Sequence, residues 1–82
     1  HRGIQMKLYV PFRVEGSNLG PYGTFSSERK ALRYVFEIVE AEDLSRHNKL
    51  YPEEEYEYNS ADLWDYISDV FSIILVDTDR VS

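Results

Sequence analysis

The chain has 82 residues and a mass of 9.7 kDa, enough for one domain and too little for two. With 43% hydrophobic and 15% aromatic residues, the composition is globular rather than disordered. Cysteine is absent, which excludes disulfides, zinc–thiolate centres and thiol chemistry. No apolar run approaches the roughly 18 residues of a membrane span, and the N-terminus has no secretory pattern. Nine Lys/Arg against fifteen Asp/Glu leave a net charge of −6, which disfavours general affinity for DNA, RNA or anionic lipid. The expected setting is the cytoplasm.

Met6 is read as the start of a single domain over 6–82, with residues 1–5 a remnant or a disordered N-terminus outside it. From Lys7 to Glu15, Leu8, Val10, Phe12 and Val14 alternate with Lys7, Tyr9, Pro11, Arg13 and Glu15, the period of a half-buried strand. Pro11 cannot donate to a ladder, so this strand is expected at a sheet edge or bulged. Gly16 to Pro21 is turn chemistry, and Tyr22 to Phe25 predicts a short second strand.

Ser26 is the expected N-cap of a helix over 27–44, with Glu28 complementing the dipole and Ala31, Val35, Ile38 and Val39 on the inner face, a spacing that Glu42 can continue. Between Ser45 and Asn59 the pattern breaks at Pro52, and Glu53–Tyr58 reads as a short strand or an acidic loop. Ser60 is the next cap candidate, opening an amphipathic helix over 61–71 with Leu63, Ile67, Val70 and Phe71 inward. Ser72–Asp77 contains the β-branched run Ile73-Ile74-Leu75-Val76, expected as a central strand covered on both faces. The order β-β-α-(β)-α-β predicts an α+β fold, a small antiparallel or mixed sheet with two helices packed on one face.

Charge is divided unevenly along the chain. Residues 1–33 carry six cationic side chains against Glu15 and Glu28, whereas residues 34–79 carry thirteen carboxylates against Arg46 and Lys49. Asp62, Asp65 and Asp69, at i, i+3 and i+7, share one side of the second helix. Glu37 and Glu40 make a similar row on the first helix, which Asp43 or Glu42 can extend. Glu53, Glu54, Glu55 and Glu57 form a third cluster. One helical turn separates side chains by about 5.4 Å, and duplex DNA carries a charge per roughly 1.7 Å of axis. Rows on two helices and a loop can therefore imitate phosphate spacing. Tyr56 and Tyr58 are interleaved with these carboxylates, as rigid contacts suited to a protein interface, and Trp64 and Tyr66 are divided between core and surface.

No catalytic constellation emerges. Of the two histidines, His1 precedes the expected domain and His47 is expected in a polar loop, with no nucleophile-elbow signature nearby. Gly16, Gly20 and Gly23 are followed by no Gly-Lys-Ser/Thr. Neither Asp77-Thr78-Asp79 nor the Glu53–Glu57 run follows the calcium-loop pattern. No enzyme activity, cofactor or metal site is expected. Arg29, Lys30 and Arg33 are too few to bind nucleic acid, but can pair with Glu37 or with the acidic half of a second copy in a homodimer.

The stretch Tyr22-Gly23-Thr24-Phe25-Ser26-Ser27-Glu28-Arg29-Lys30-Ala31, preceded by Met6-Lys7-Leu8-Tyr9-Val10, resembles a pattern in small phage and bacterial accessory proteins. In these, a strand ending in a Phe-Ser-Ser cap opens an amphipathic helix. The resemblance implies a fold and a setting, not an activity; in size, acidity and lack of chemistry the chain is similar to the small acidic phage proteins that bind host factors, among them DNA mimics that occupy nucleoid proteins, nucleases or polymerase. The expected function is inhibition of a basic nucleic-acid-binding host protein in the cytoplasm of an infected bacterium. Asp62, Asp65, Asp69, Glu53, Glu54, Glu55, Glu57, Glu37, Glu40, Tyr56 and Tyr58 would form the binding surface. The alternative is an interaction module with a neutral or hydrophobic contact surface, its acidity serving only solubility.

Overall fold

Two β-favouring runs at the ends of the chain find each other, and the helical patterns between them pack on the sheet they make. The elements are β1 (Ile4–Arg13), β2 (Gly20–Pro21), α1 (Glu28–Leu50), α2 (Ser60–Val70) and β3 (Phe71–Arg80). They are seen in a computed structural model that describes the backbone of residues 4–80 and the side chains of residues 7–77. The fold is α+β, with a three-stranded antiparallel sheet in the order β2-β1-β3. β1 and β3 pair along their full length, from Ile4↔Arg80 to Arg13↔Phe71.

Local chemistry sets the helix ends. The cap of α1 is Ser27 rather than Ser26, its hydroxyl accepting from the Lys30 N–H at 3.2 Å. The helix runs six residues beyond the expected Leu44 because nothing from Ser45 to Leu50 breaks it. His47, expected in a loop, instead lies with Lys49 in the last turn, where both favour the negative end, and Pro52 pushes Tyr51 out of the helical region. Asn59, not Ser60, caps α2 by accepting from the Ala61 N–H at 2.9 Å. Glu53–Tyr58 forms no strand, so the optional third strand of the expected order is a loop. The strand expected over Tyr22–Phe25 is displaced to Gly20–Pro21; Gly23, at φ +111°, interrupts the extended run, which touches β1 again only where Phe25 bridges Tyr9.

The sheet corrects three expectations. β1 takes in Ile4 and Gln5, which were expected to lie outside the domain, whereas residues 1–3 fall outside the described range. β1 is central despite Pro11. Tyr9 exchanges both backbone bonds with Phe25, and Pro11 accepts from the Tyr22 N–H, so odd-numbered residues of β1 turn their backbone groups towards β2. The N–H that Pro11 lacks therefore belongs to that side, and no bond to β3 is lost. β3 is an edge strand rather than a doubly covered central one: its one neighbour is β1, and Ile74, Leu75 and Val76 are exposed.

The side of β1 that meets the helices is also the less apolar one. Pro11 and Arg13 are buried, whereas Leu8, Val10 and Phe12 are only half-buried and Val14 is 48% exposed. What draws the polar side inward is Arg13, 3% exposed. Its guanidinium donates two bonds to the Glu42 carboxylate of α1, at 2.8 and 3.0 Å, and further bonds to the hydroxyls of Tyr22 at 2.9 Å and Tyr66 of α2 at 3.3 Å. The Phe71 ring of β3 lies 5.0 Å beneath it. Around this polar centre Val35 and Val39 of α1 pack with Leu63, Ile67 and Val70 of α2 and with Phe71.

The bidentate bond from Arg13 holds the Glu42 carboxyl below its ordinary value, against the opposing pull of burial. Losing one partner of a fully desolvated pair costs about 3–5 kcal/mol. Glu42 keeps a third of its side chain in water, so Glu42→Gln is predicted to cost about 2 kcal/mol in urea unfolding at neutral pH. Since the folded pKa is depressed, the contribution is complete above the unfolded value of 4.5 and is lost as pH falls through the folded one. The wild-type advantage over Glu42→Gln should therefore shrink below pH 4.5; a gap independent of pH would contradict the ion pair.

Candidate functional site

α2 buries Leu63, Ile67 and Val70 and presents Asp62, Asp65 and Asp69 on its opposite, exposed side. Seven residues of helix place the outer two carboxylates about 10 Å apart along the axis. At its first turns this row meets a cleft of about 330 Å³ between α1, the Glu57–Asn59 segment and α2, floored by Val39 and Leu63. Its polar lining is Glu42, Asp43, Arg46, Glu57 and Asp62, with Tyr58 and Tyr66 beside them.

The carboxylates of the cleft are not equivalent. Glu42 is committed to Arg13, which removes it from the acidic row on α1 that it was expected to extend. Asp43 accepts from Arg46 at 3.1 Å and from the Tyr56 hydroxyl at 2.9 Å. Glu57 and Asp62 have no ion-pair partner among the described residues. The unneutralised charge of the cleft is thus continuous with Asp65 and Asp69.

The Tyr56–Tyr58 segment is fastened across α1 by its aromatic groups. The Tyr56 and Tyr58 rings stack at 5.7 Å. Tyr58 reaches Phe36 at 6.3 Å, and Phe36 in turn meets Trp64 of α2 at 4.8 Å. Burial, reinforced by the hydrogen bond to Asp43, pushes the Tyr56 phenol up to about 12. The Tyr58 phenol is also raised, by hydrogen bonding to Glu40 and by that carboxylate's charge.

Other expected residues lie elsewhere. Glu37 and Glu40 line a separate groove with Glu28, Arg29, Arg33, Phe36 and Trp64, so the acidic row of α1 has cations for neighbours. Glu53, Glu54 and Glu55 are exposed on the loop after α1 and line neither the cleft nor the groove. Sequence reasoning missed Arg46 as a member of the site, although a cation three residues after Asp43 on a helix is a readable pair. It also missed His47, whose Nε2 lies 3.0 Å from the Glu54 carbonyl and whose ring packs 5.4 Å from Tyr56, anchoring the acidic loop.

Among the described residues, no cluster of three or more His, Asp or Glu is arranged to hold a metal ion, and no helix is long and apolar enough to cross a membrane. No family model, curated protein or solved structure matches the chain. For Tyr56, the raised pKa favours the neutral phenol in the folded state, a contribution complete below the unfolded value of 10.0 and lost as pH rises through about 12. Alkaline absorbance titration of wild type should show one tyrosine ionising near 12 that is missing from Tyr56→Phe. Identical late titrations would contradict the packing of this segment.

Proposed function

We propose that the protein is a non-catalytic acidic module that binds a basic protein, with the cleft receiving a cationic side chain and the α2 row extending the contact. One observation carries this reading: the exposed Asp62, Asp65 and Asp69 run into a cleft where Glu57 and Asp62 have no ion-pair partner among the described residues. Like charges at these helical spacings each cost a few tenths of a kcal/mol in isolation, a repulsion that a cationic ligand relieves. Tyr58, Tyr66 and Trp64, between 39% and 47% exposed, supply rigid aromatic area beside the charge.

The finer reading is mimicry of a nucleic acid. The targets that fit are nucleic-acid-binding proteins whose phosphate-contacting lysines and arginines would meet the ordered carboxylates instead. The small acidic phage proteins that the chain resembles in size and acidity include DNA mimics, and the setting that goes with this reading is the cytoplasm of an infected bacterium. Such a complex would form quickly, weaken with salt and be displaced by DNA.

The test is capture from a bacterial lysate, at low and high salt, with and without competing duplex DNA. Wild type should retain nucleic-acid-binding proteins that DNA displaces. The Asp62→Asn/Asp65→Asn/Asp69→Asn variant should unfold within about 0.5 kcal/mol of wild type, as surface changes do, yet lose at least about tenfold in affinity for the captured protein. Undiminished binding would remove α2 from the interface, and capture indifferent to salt and DNA would overturn the electrostatic reading.

A further inference from the structure

On the side of α1 turned away from the buried Ala31, Val35 and Val39, charge is ordered rather than mixed. Arg29 and Arg33 come first, Glu37 and Glu40 follow, and Leu32 and Phe36 lie among them. These positions fall at i, i+3, i+4, i+7, i+8 and i+11, a single stripe along the helix. With Trp64 of α2, 39% exposed, they border a groove of about 780 Å³. The Trp64 ring meets Phe36 at 4.8 Å, so the apolar groups gather on the flank nearer α2. Arg33 and Glu37 occupy the other flank.

These charges are not consumed inside the molecule. Among the described residues, Arg29, Arg33 and Glu37 have no ion-pair partner. Arg33 and Glu37 are four residues apart, but with the cation on the N-terminal side, the weaker order for such a pair. Arg29 and Arg33 also oppose the positive end of the helix dipole. Glu28, at the end of the groove, offsets that only in part.

We infer that the groove receives the same stripe of a second copy, run antiparallel about a two-fold axis level with residues 34 and 35. Such an axis turns each flank of the stripe towards itself. One register then sets Arg29 opposite the partner's Glu40, Arg33 opposite the partner's Glu37 and Leu32 opposite the partner's Phe36, each pair made twice. Trp64 is covered in the same contact. A parallel pairing would set arginine against arginine. A uniformly basic partner would meet Arg29 and Arg33, and a uniformly acidic one Glu37 and Glu40. What fits is a helix whose charges run in reverse order, which α1 supplies when turned round. The inference does not rest on the acidic cleft, since none of these residues lines it. A contact of this kind belongs with the small transient interfaces, under about 1,200 Å² in total, so a dissociation constant of about 10–100 μM is expected.

Sedimentation equilibrium of the full chain between about 1 and 500 μM should pass from 9.7 kDa towards twice that mass. Emission from Trp64, the chain's only tryptophan, should move to shorter wavelength over the same range. Arg33→Glu and Glu37→Arg, both at exposed positions, should each weaken the dimer at least about tenfold with far-UV circular dichroism unchanged. Each alone sets like charges against each other twice. Mixing the two variants restores both ion pairs, so an equimolar mixture should associate about as tightly as wild type. Leu32→Lys places a charge on the apolar flank and should weaken the dimer by at least the same factor. A chain monomeric throughout, whose groove some other protein would have to fill, overturns the proposal. So does a dimer that leaves Trp64 emission in place, a Leu32→Lys chain that dimerises as well as wild type, or charge variants that associate no better together than apart.

Discussion

A guanidinium cannot be left inside a protein without an anion, and the buried Arg13 obliges the rest of the chain to supply one. Glu42 of α1 answers it bidentately, Tyr22 and Tyr66 take two further bonds, and Phe71 packs against its face. The end of β1, the turn after it, both helices and the start of β3 thereby converge on one side chain. The apolar cluster of Val35, Val39, Leu63, Ile67, Val70 and Phe71 is small for an 82-residue domain. A polar centre whose partners come from several elements favours the packing that brings them together over others such a core would tolerate.

The consequence of drawing Arg13 inward is that Lys7, Tyr9 and Pro11 of β1 turn with it. A strand has only two faces, so Leu8, Val10 and Phe12 must then point away from the helices, and Ile74 and Val76 follow through the register. The molecule becomes two-sided, with carboxylates on the helices and uncharged apolar groups on the far side of the sheet. The acidic side is the one on which a basic partner is proposed to bind, through contacts that salt would weaken.

Much of the architecture was legible in the sequence because it is written in local chemistry. Caps, dipole-matched charges and helical spacing located both helices to within a few residues except at the end of α1, where the stop lies in the Tyr51–Pro52 pair rather than in the apolar period. The Asp62–Asp65–Asp69 row was readable for the same reason. What could not be read was anything requiring a tertiary partner. Periodicity says that Leu8, Val10, Phe12 and Val14 share a face, but not that an arginine will take the other face inward. The run Ile73–Val76 has the composition of a central strand, and only the pairing shows it at an edge. Spacing put Glu42 in line with Val35, Ile38 and Val39 as well as beside the acidic row, but could not show what it would meet, because its partner is 29 residues away.

Methyl–methyl nuclear Overhauser contacts in a sample labelled at Val, Leu and Ile test the orientation of the sheet most directly. With Arg13 inward, the methyls of Val35, Val39 and Ile67 contact one another and those of Val70, while the methyls of Val10, Ile74 and Val76 contact only other strand residues. Cross-peaks joining Val10 or Ile74 to Val35 or Val39 would mean that the apolar face of β1 covers the helices after all. Arg13 would then lie on the outside, and the two-sided molecule described above would not exist.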